Sequence, residues 1–354
     1  MGFTNRIIFF LNVLLAVITM VSFLTPFINP KFYWIFSIIG LFFPVYMLLH
    51  AGFIIFWLMI YWKKSYLSIL CLIFGFQHTQ NYIGYNSPDP IIDKNAAISV
   101  ASFNISYGYY LIEKEKVKKD ENLEKVKEEL KALQETDIIC FQEVGKYVFE
   151  TIKKTFPKHK AYKTDKGVVI LSKFPIGKKG VIDFGSITNS CIWADLNIKG
   201  QTVRVYNFHL QSNKVSKDAD GIVENIQKNE DVKWYRDIKG MLRKYRNTNI
   251  SRARQIDKIV EHIETCPHPF LVGADMNDVP ISYIYRRLSE VSTDAFTTKG
   301  IGFGTTYRGN IPFLRIDYIF YSKPFLCVKY EKIRTRISDH NPILSTLSFP
   351  NNNN

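Results

Sequence analysis

Charged residues are missing from two long apolar stretches at the start of the chain: none lies between Arg6 and Lys31, and none between Lys31 and Lys63. A spanning helix needs about 20 apolar residues. The first stretch therefore predicts a span over residues 7–27. The second, Phe32–Trp62, holds 31 residues, too few for two crossings, which need about 40. It predicts one long tilted span over 32–62, kinked near Pro44. Only Arg6 precedes the first stretch and no small-residue cleavage site is visible, so it reads as an uncleaved anchor. A third run, Tyr66–Phe76, is too short to cross alone, but the uncharged Gln77–Tyr85 extends it over 66–85. Three crossings place Arg6, Lys63 and Lys64 on the cytoplasmic side and the rest of the chain outside, in accord with the positive-inside rule. The competing reading is an amphipathic connector in the interface, which leaves the rest in the cytoplasm.

Residues 1–90 thus form a membrane region, and from about Asn95 the pattern changes. Residues 95–349 read as one soluble domain, large enough for a full core. Leu123, Val126, Leu130 and Leu133 recur at helical spacing within the densely charged Glu113–Glu135, which predicts an amphipathic surface helix. Short apolar runs follow the strand pattern at 97–103, 138–141, 168–171, 191–198, 202–208, 270–272, 316–321 and 343–347. Between His209 and Phe270 lies a long insertion expected to be helical. Its stretch 214–258 carries twelve Lys/Arg against seven Asp/Glu, either a basic face that gathers an anion or a solvated helical face. The tail 350–354 reads as disordered.

Charge sharpens this division. The chain carries +14, of which residues 1–90 supply four Lys/Arg and one Asp/Glu. The remaining +11 suits an anionic partner, either nucleic acid or phospholipid headgroups. Five scattered cysteines, Cys71, Cys140, Cys191, Cys266 and Cys327, have no zinc spacing and read mostly as buried thiols.

The chemistry lies where apolar runs end. Asn104 closes A-I-S-V-A-S-F, Glu143 follows D-I-I-C-F-Q, and His209 follows R-V-Y-N-F. Asp275 and Asn277 follow P-F-L-V-G-A, Asp317 sits in R-I-D-Y-I-F, and Asp339 and His340 lie in I-S-D-H-N-P-I. Strand ends are where a sheet presents side chains to a ligand, and these are residue types that hold metals or move protons. Phosphoester hydrolysis needs a hard cation held by oxygens and an imidazole that takes a proton from water. Glu143, Asn104 and Asp339 are oxygen donors suited to Mg²⁺ or Mn²⁺, and no His-rich or Cys-rich set favours zinc. Each residue has a plainer reading. Asp317 could be a structural carboxylate paired with Arg315, His209 a packed histidine, and Asp275 with Asn277 an ordinary turn before Pro280. Arg308, after G-F-G-T-T-Y, is a candidate substrate contact.

Taken in order, Q-E-V, N-F-H-L-Q-S, G-A-D-M-N-D, R-I-D-Y-I-F and S-D-H-N-P-I resemble the endonuclease/exonuclease/phosphatase superfamily over residues 97–347. With membrane segments in front, the chain looks like bacterial membrane-anchored members, which implies a cytoplasmic-membrane location with the catalytic domain outside. The resemblance implies an α/β fold of DNase I-like type, an αββα sandwich of two mixed β-sheets with an active site at one rim. It implies Glu143 as the main Mg²⁺ ligand, with Asn104 near the metal or phosphate and Asp339 a carboxylate near the metal. His340 matches the base that activates water, and Asp317 the carboxylate that orients it. Asp275 and Asn277 match the pair that positions the nucleophile and phosphoryl oxygens. His209 matches the histidine that stabilises phosphate charge or assists the leaving group. Two departures stand out: Ala274 replaces the usual Gly before the aspartate, and Phe208 a common Thr.

The expected activity is thus membrane-anchored, Mg²⁺-dependent phosphoester hydrolysis. A diester is favoured, either a lipid headgroup or extracytoplasmic nucleic acid, with membrane lipids as partners of the N-terminal helices. The alternatives are a silent polyanion- or partner-binding module and an extracytoplasmic nuclease.

Overall fold

The computed structural model of the chain describes residues 2–87, 89, 97–116, 118–212, 233–309 and 313–348. The expected tail 350–354, the domain boundary near 95 and the first part of the basic insertion, 213–232, lie outside the described residues.

The charge-free run 32–62 is not one kinked helix. After α1 (Phe3–Ser22), it is divided among α2 (Pro30–Tyr33), α3 (Ile35–Leu41) and α4 (Phe43–Ile60). Pro44 lies in the first turn of α4, where no intrahelical N–H is required but a preceding helical turn is disfavoured. Proline therefore starts this helix rather than bending a longer one. The third run also ends early. α5 (Tyr66–Thr79) has 14 residues, about 21 Å at 1.5 Å per residue. Beyond it, β1 (Ile83–Tyr85) pairs antiparallel with β11 (Ile301–Phe303), so the residues expected to extend the helix join the following domain instead. Among the described residues, Phe3–Phe27 and Phe43–Ile60 are long and apolar enough to cross a membrane.

These helices invert the usual distribution of polarity. Phe10, Val17, Ile55 and Ile73 are exposed, whereas Asn12, Thr19, His50 and Ser68 are buried. Asn12 donates to Ser68 at 2.8 Å and accepts from Trp57 Nε1 at 3.1 Å. The His50 ring nitrogens lie 3.0 Å from the hydroxyls of Thr19 and Ser68. Polar groups thus join α1, α4 and α5 from within, each satisfied by another helix.

Twelve strands of the domain form two six-stranded mixed sheets. One has the order β13 (Leu326–Lys332), β14 (Ile343–Ser348), β2 (Ala97–Asn104), β3 (Ile138–Gln142), β5 (Val169–Ser172), β4 (Lys160–Lys163). The other has β10 (Thr293–Asp294), β12 (Asp317–Tyr321), β9 (Phe270–Asp275), β8 (Gln201–His209), β7 (Ser190–Ile198), β6 (Ile176–Asp183). Period-two alternation divides their side chains between two faces. Ile98, Val100, Ile138 and Cys140 meet Ile192, Val203, Val205 and Leu271 between the sheets. Ala101, Phe103, Ile139 and Phe141 face outward onto Val126, Leu130, Val148 and Ile152, supplied by two helices, Lys119–Leu130 and Lys146–Thr155. Tyr206, Phe208, Val272 and Ala274 face outward on the second sheet, against Ile256, Ile259 and Val260 of the long helix Lys233–Glu264. The four-layer αββα sandwich follows directly. The described part of the basic insertion is this helix.

At the site end the sheets approach closely. A Cβ on Gly273 would sit 2.5 Å from Cys140 Cβ, so this glycine admits the opposite sheet two residues before Asp275. Ala274, in the position where a glycine is usual, is buried on the outer face instead.

Candidate active site

Strand direction brings the expected residues to one rim. β2 and β3 run parallel, with Asn104 opposite Gln142, and β8 and β9 run parallel, with His209 opposite Asp275. All four strands therefore reach the same end of the sandwich. β12 runs antiparallel to β9 and begins with Asp317 opposite Asp275. β14 runs antiparallel to β2 with Ile343 opposite Ser102, so Asp339 and His340 arrive just before it. Strand ends and strand starts alternate across the sheets and deliver the residues to one place.

Asp275 is the centre. Its Oδ2 accepts from Asn104 Nδ2 at 2.8 Å, across the gap between the sheets. Its Oδ1 accepts from the backbone N–H of Asn277 at 2.9 Å. Nε2 of His209 lies 3.6 Å from Asp275 Oδ2 and 3.5 Å from Glu143 Oε1. Nε2 of His340 lies 4.0 Å from the same Asp275 oxygen. On its other side His340 presents Nδ1 to both Asp317 oxygens, at 2.9 and 3.0 Å. That nitrogen therefore donates its proton to the carboxylate and leaves Nε2 facing Asp275. The edge of Tyr307 packs on the His340 ring, with centroids 5.0 Å apart.

The remaining residues join through the backbone and serines. Ser106 N–H donates to Asn104 Oδ1 at 2.9 Å, and the Ser106 hydroxyl donates to Asp339 Oδ1. Ser338 Oγ lies 2.9 Å from Ser106 Oγ and donates to the Asn104 carbonyl at 2.8 Å. Glu143 and Asn277 adopt left-handed backbone conformations, with φ of 52° and 51°. This costs energy for a non-glycine residue and is characteristic of residues re-aimed at a site.

Burial and charge act against each other here. Burial raises the Asp275 carboxyl pKa, and the negative charge of Asp317 raises it further. For His340, burial opposes protonation, but Asp317 and Asp275 outweigh it and the ring is pushed up to about 10. The metal-free protein should keep His340 protonated at pH 8 in an imidazole ¹⁵N NMR titration, and Asp317→Asn should bring its titration down towards 6.5. Because the folded pKa exceeds the unfolded one, this pair's contribution to stability is complete below about pH 6.5 and disappears as pH rises towards 10.

The residues fit a hard divalent cation. Glu143, Asp275, Asn104 and Asp339 supply oxygens, and the buried His209 Nε2 has no hydrogen-bond partner among the described residues. A tight acid–histidine cluster also occurs at Asp275, Asp317 and His340, whose ligand atoms all lie within 4.8 Å of one another. Both Asp317 oxygens there already engage His340, so Glu143 is the better anchor for an ion.

The structure also places two arginines. Arg315 is not the partner of Asp317: its guanidinium donates to Asp294 Oδ1 at 2.7 Å and lies 4.3 Å from the Phe296 ring centroid. Arg308 is exposed at the rim, donating through its backbone N–H to the Asp339 carbonyl at 2.8 Å and through its guanidinium to the Ser338 carbonyl. Ser106, Ser338 and Tyr307 were missed as individual site residues. Only Ser338 had a signal, its place in S-D-H; the other two reach the site through loop conformation. The five cysteines are all free, and Cys71, Cys140, Cys191 and Cys327 are buried.

A two-sheet sandwich with acids, amides and histidines converging at one rim defines a hydrolase of the DNase I-like class. The chain belongs to the endonuclease/exonuclease/phosphatase family, whose model matches residues 101–340. A second model, a domain of unknown function, matches residues 5–82. No curated protein matches. Among solved structures, D. rerio TDP2 complexed with a single-strand DNA product is 17% identical, with a TM-score of 0.53 over 72% of this chain and 100% of that one. The Bacteroides thetaiotaomicron mannosyl-6-phosphatase is 17% identical, with a TM-score of 0.51 over 71% and 100%. The catalytic domain of human nocturnin with bound sulfate is 17% identical, with a TM-score of 0.51 over 74% and 97%. At these identities the likeness concerns the fold. The family points to phosphoester hydrolysis and typically uses divalent metals.

Proposed function

We propose that the chain is a membrane-anchored, Mg²⁺-dependent phosphoester hydrolase that prefers diesters. The observation that carries this reading is the arrangement of Asn104, His209 and His340 around Asp275, with Glu143 beside His209. In its neutral form the His340 ring takes on Nε2 the proton of the water that attacks phosphorus, while Nδ1–H stays on Asp317, so the rate should climb as pH rises towards the ring's pKa of about 10. Asp275, braced by Asn104 and the Asn277 N–H, orients that water. His209 and the Asn277 side chain meet the phosphoryl oxygens as negative charge builds. Glu143, with Asn104 and Asp339 close by, would hold a divalent cation, which would supply neutralisation of phosphoryl charge and of the departing oxygen.

Membrane anchoring rests on the inverted polarity of α1, α4 and α5. Arg6, Lys63 and Lys64 lie at one end of these helices, with Lys64 Nζ 4.2 Å from the Phe9 ring centroid. The domain packs at the other end, where Phe43 and Met47 share a core with Val279, Ile281 and Ile316. Tyr245 also donates to the Ser37 carbonyl at 3.1 Å, and Lys31 pairs with Asp257 at 2.8 Å. This arrangement supports an extracytoplasmic domain under the positive-inside rule.

Purified full-length protein should hydrolyse bis(p-nitrophenyl) phosphate faster than p-nitrophenyl phosphate with Mg²⁺, and neither with chelator. No turnover of either ester with Mg²⁺ or Mn²⁺ would favour the silent binding module.

A further inference from the structure

An apolar groove of about 120 Å³ lies between the N-terminal helices and the catalytic domain. Phe43, Met47 and Leu48 of α4 form one wall, Phe303 and Thr305 the other, with Tyr82 between them. Dry apolar cavities of about 150 Å³ take up a molecule the size of benzene, so this groove has room for a short stretch of hydrocarbon chain. Leu48 and Phe303 are exposed at its edges, and Phe43 and Met47 are buried inside.

The groove and the candidate active site share a wall. The segment from Phe303 to Arg308 passes from the groove, at Phe303 and Thr305, to the site, where Tyr307 packs on His340 and Arg308 N–H meets the Asp339 carbonyl. Thr305 and Tyr307 are two positions apart, at most roughly 7 Å between their Cα atoms, so the groove wall runs directly into the site. The other wall is α4, one of the two helices apolar and long enough to cross a membrane. A groove with one wall on such a helix and its end beside a phosphoester site suits an amphiphile that arrives from the bilayer. Nucleic acid has no use for this wall.

Building on the hydrolase reading, we propose that the substrate is a lipid phosphoester, with its hydrocarbon chain in the α4–Phe303 groove. The probes are p-nitrophenyl phosphodiesters whose second ester group is methyl, octyl or hexadecyl, presented to the full chain in mixed micelles with Mg²⁺. We expect kcat/KM to rise at least 10-fold from methyl to octyl. Leu48→Trp, which fills the groove, and Phe303→Asp, which charges its edge, should each remove most of that gain and leave the methyl diester rate unchanged. A hexadecyl phosphate with a diazirine in its chain should crosslink to α4 or to the peptide containing Phe303. A flat chain-length profile with the methyl diester hydrolysed would overturn the lipid proposal while the hydrolase reading stands. Labelling confined to other peptides, or a single-stranded oligonucleotide cleaved faster than every alkyl diester, would also overturn it. Absence of hydrolysis for the whole series would instead count against the hydrolase reading, and crosslinking would still decide whether the groove holds a chain.

Discussion

His340→Ala is expected to lower kcat for phosphodiester hydrolysis by about 10²–10⁴-fold, the usual contribution of a positioned general base. The reason lies in what each ring nitrogen faces. Nδ1 is committed to Asp317 at 2.9 Å and Nε2 points to Asp275, 4.0 Å away, so no other imidazole can take this place; His209 lies on the Glu143 side. Alanine removes the proton acceptor and leaves Asp317 buried without its partner. Asp317→Asn keeps the ring but weakens its orientation, and should cost less in kcat than His340→Ala. Rate measurements at saturating substrate and Mg²⁺, with circular dichroism to establish folding, check both. Equal rates for wild type and His340→Ala would remove His340 from the chemistry.

Glu143→Gln should have a loss of similar size for a different reason. Its carboxylate is partly exposed, unlike that of the buried Asp275, so the charge can be removed without leaving a core group unsatisfied. The amide keeps the size and removes the anion that makes this position a metal anchor. Loss of the charge stabilisation a cation gives is worth several kcal/mol, which corresponds to about 10²–10⁴ in rate. The concentration of Mg²⁺ for half-maximal rate should rise at the same time. A variant with normal metal dependence and normal rate would place the ion elsewhere. Chelation of the wild-type protein should reproduce the loss and added Mg²⁺ should reverse it.

The outline of this site was legible because its residues interrupt apolar runs, and the interruption itself marks a strand end. Asn104, Glu143, His209 and Asp275 stand where parallel strands finish. Asp317 and His340 stand where antiparallel strands begin, so one rule found them all. What that rule could not supply was the loop geometry. Ser106 and Tyr107 take left-handed φ values of 48° and 54°, and the hydrogen bond from Ser106 to Asp339 depends on that turn. Nearness in sequence suggests the plainer pairing of Arg315 with Asp317, whereas Asp294 is brought alongside Arg315 by pairing of Thr293 and Asp294 with Tyr321 and Phe320. In the N-terminal region, absence of charge revealed the helices but not their breaks. Pro44 reads from sequence as a kink, whereas the turn before it, with φ of −90° and ψ of 6° at Phe42, makes it the start of a helix. The groove beside Tyr82 joins residues 43, 82 and 303, a long-range meeting that periodicity does not encode.

Anomalous diffraction from Mn²⁺-soaked crystals of the chain would locate the ion at the rim without any substrate. A single strong peak is expected about 2 Å from a Glu143 oxygen, with Asn104 and Asp339 on the same side and His340 left bonded to Asp317. A peak seated between Asp275, Asp317 and His340, or none near Glu143, would contradict this placement of the ion.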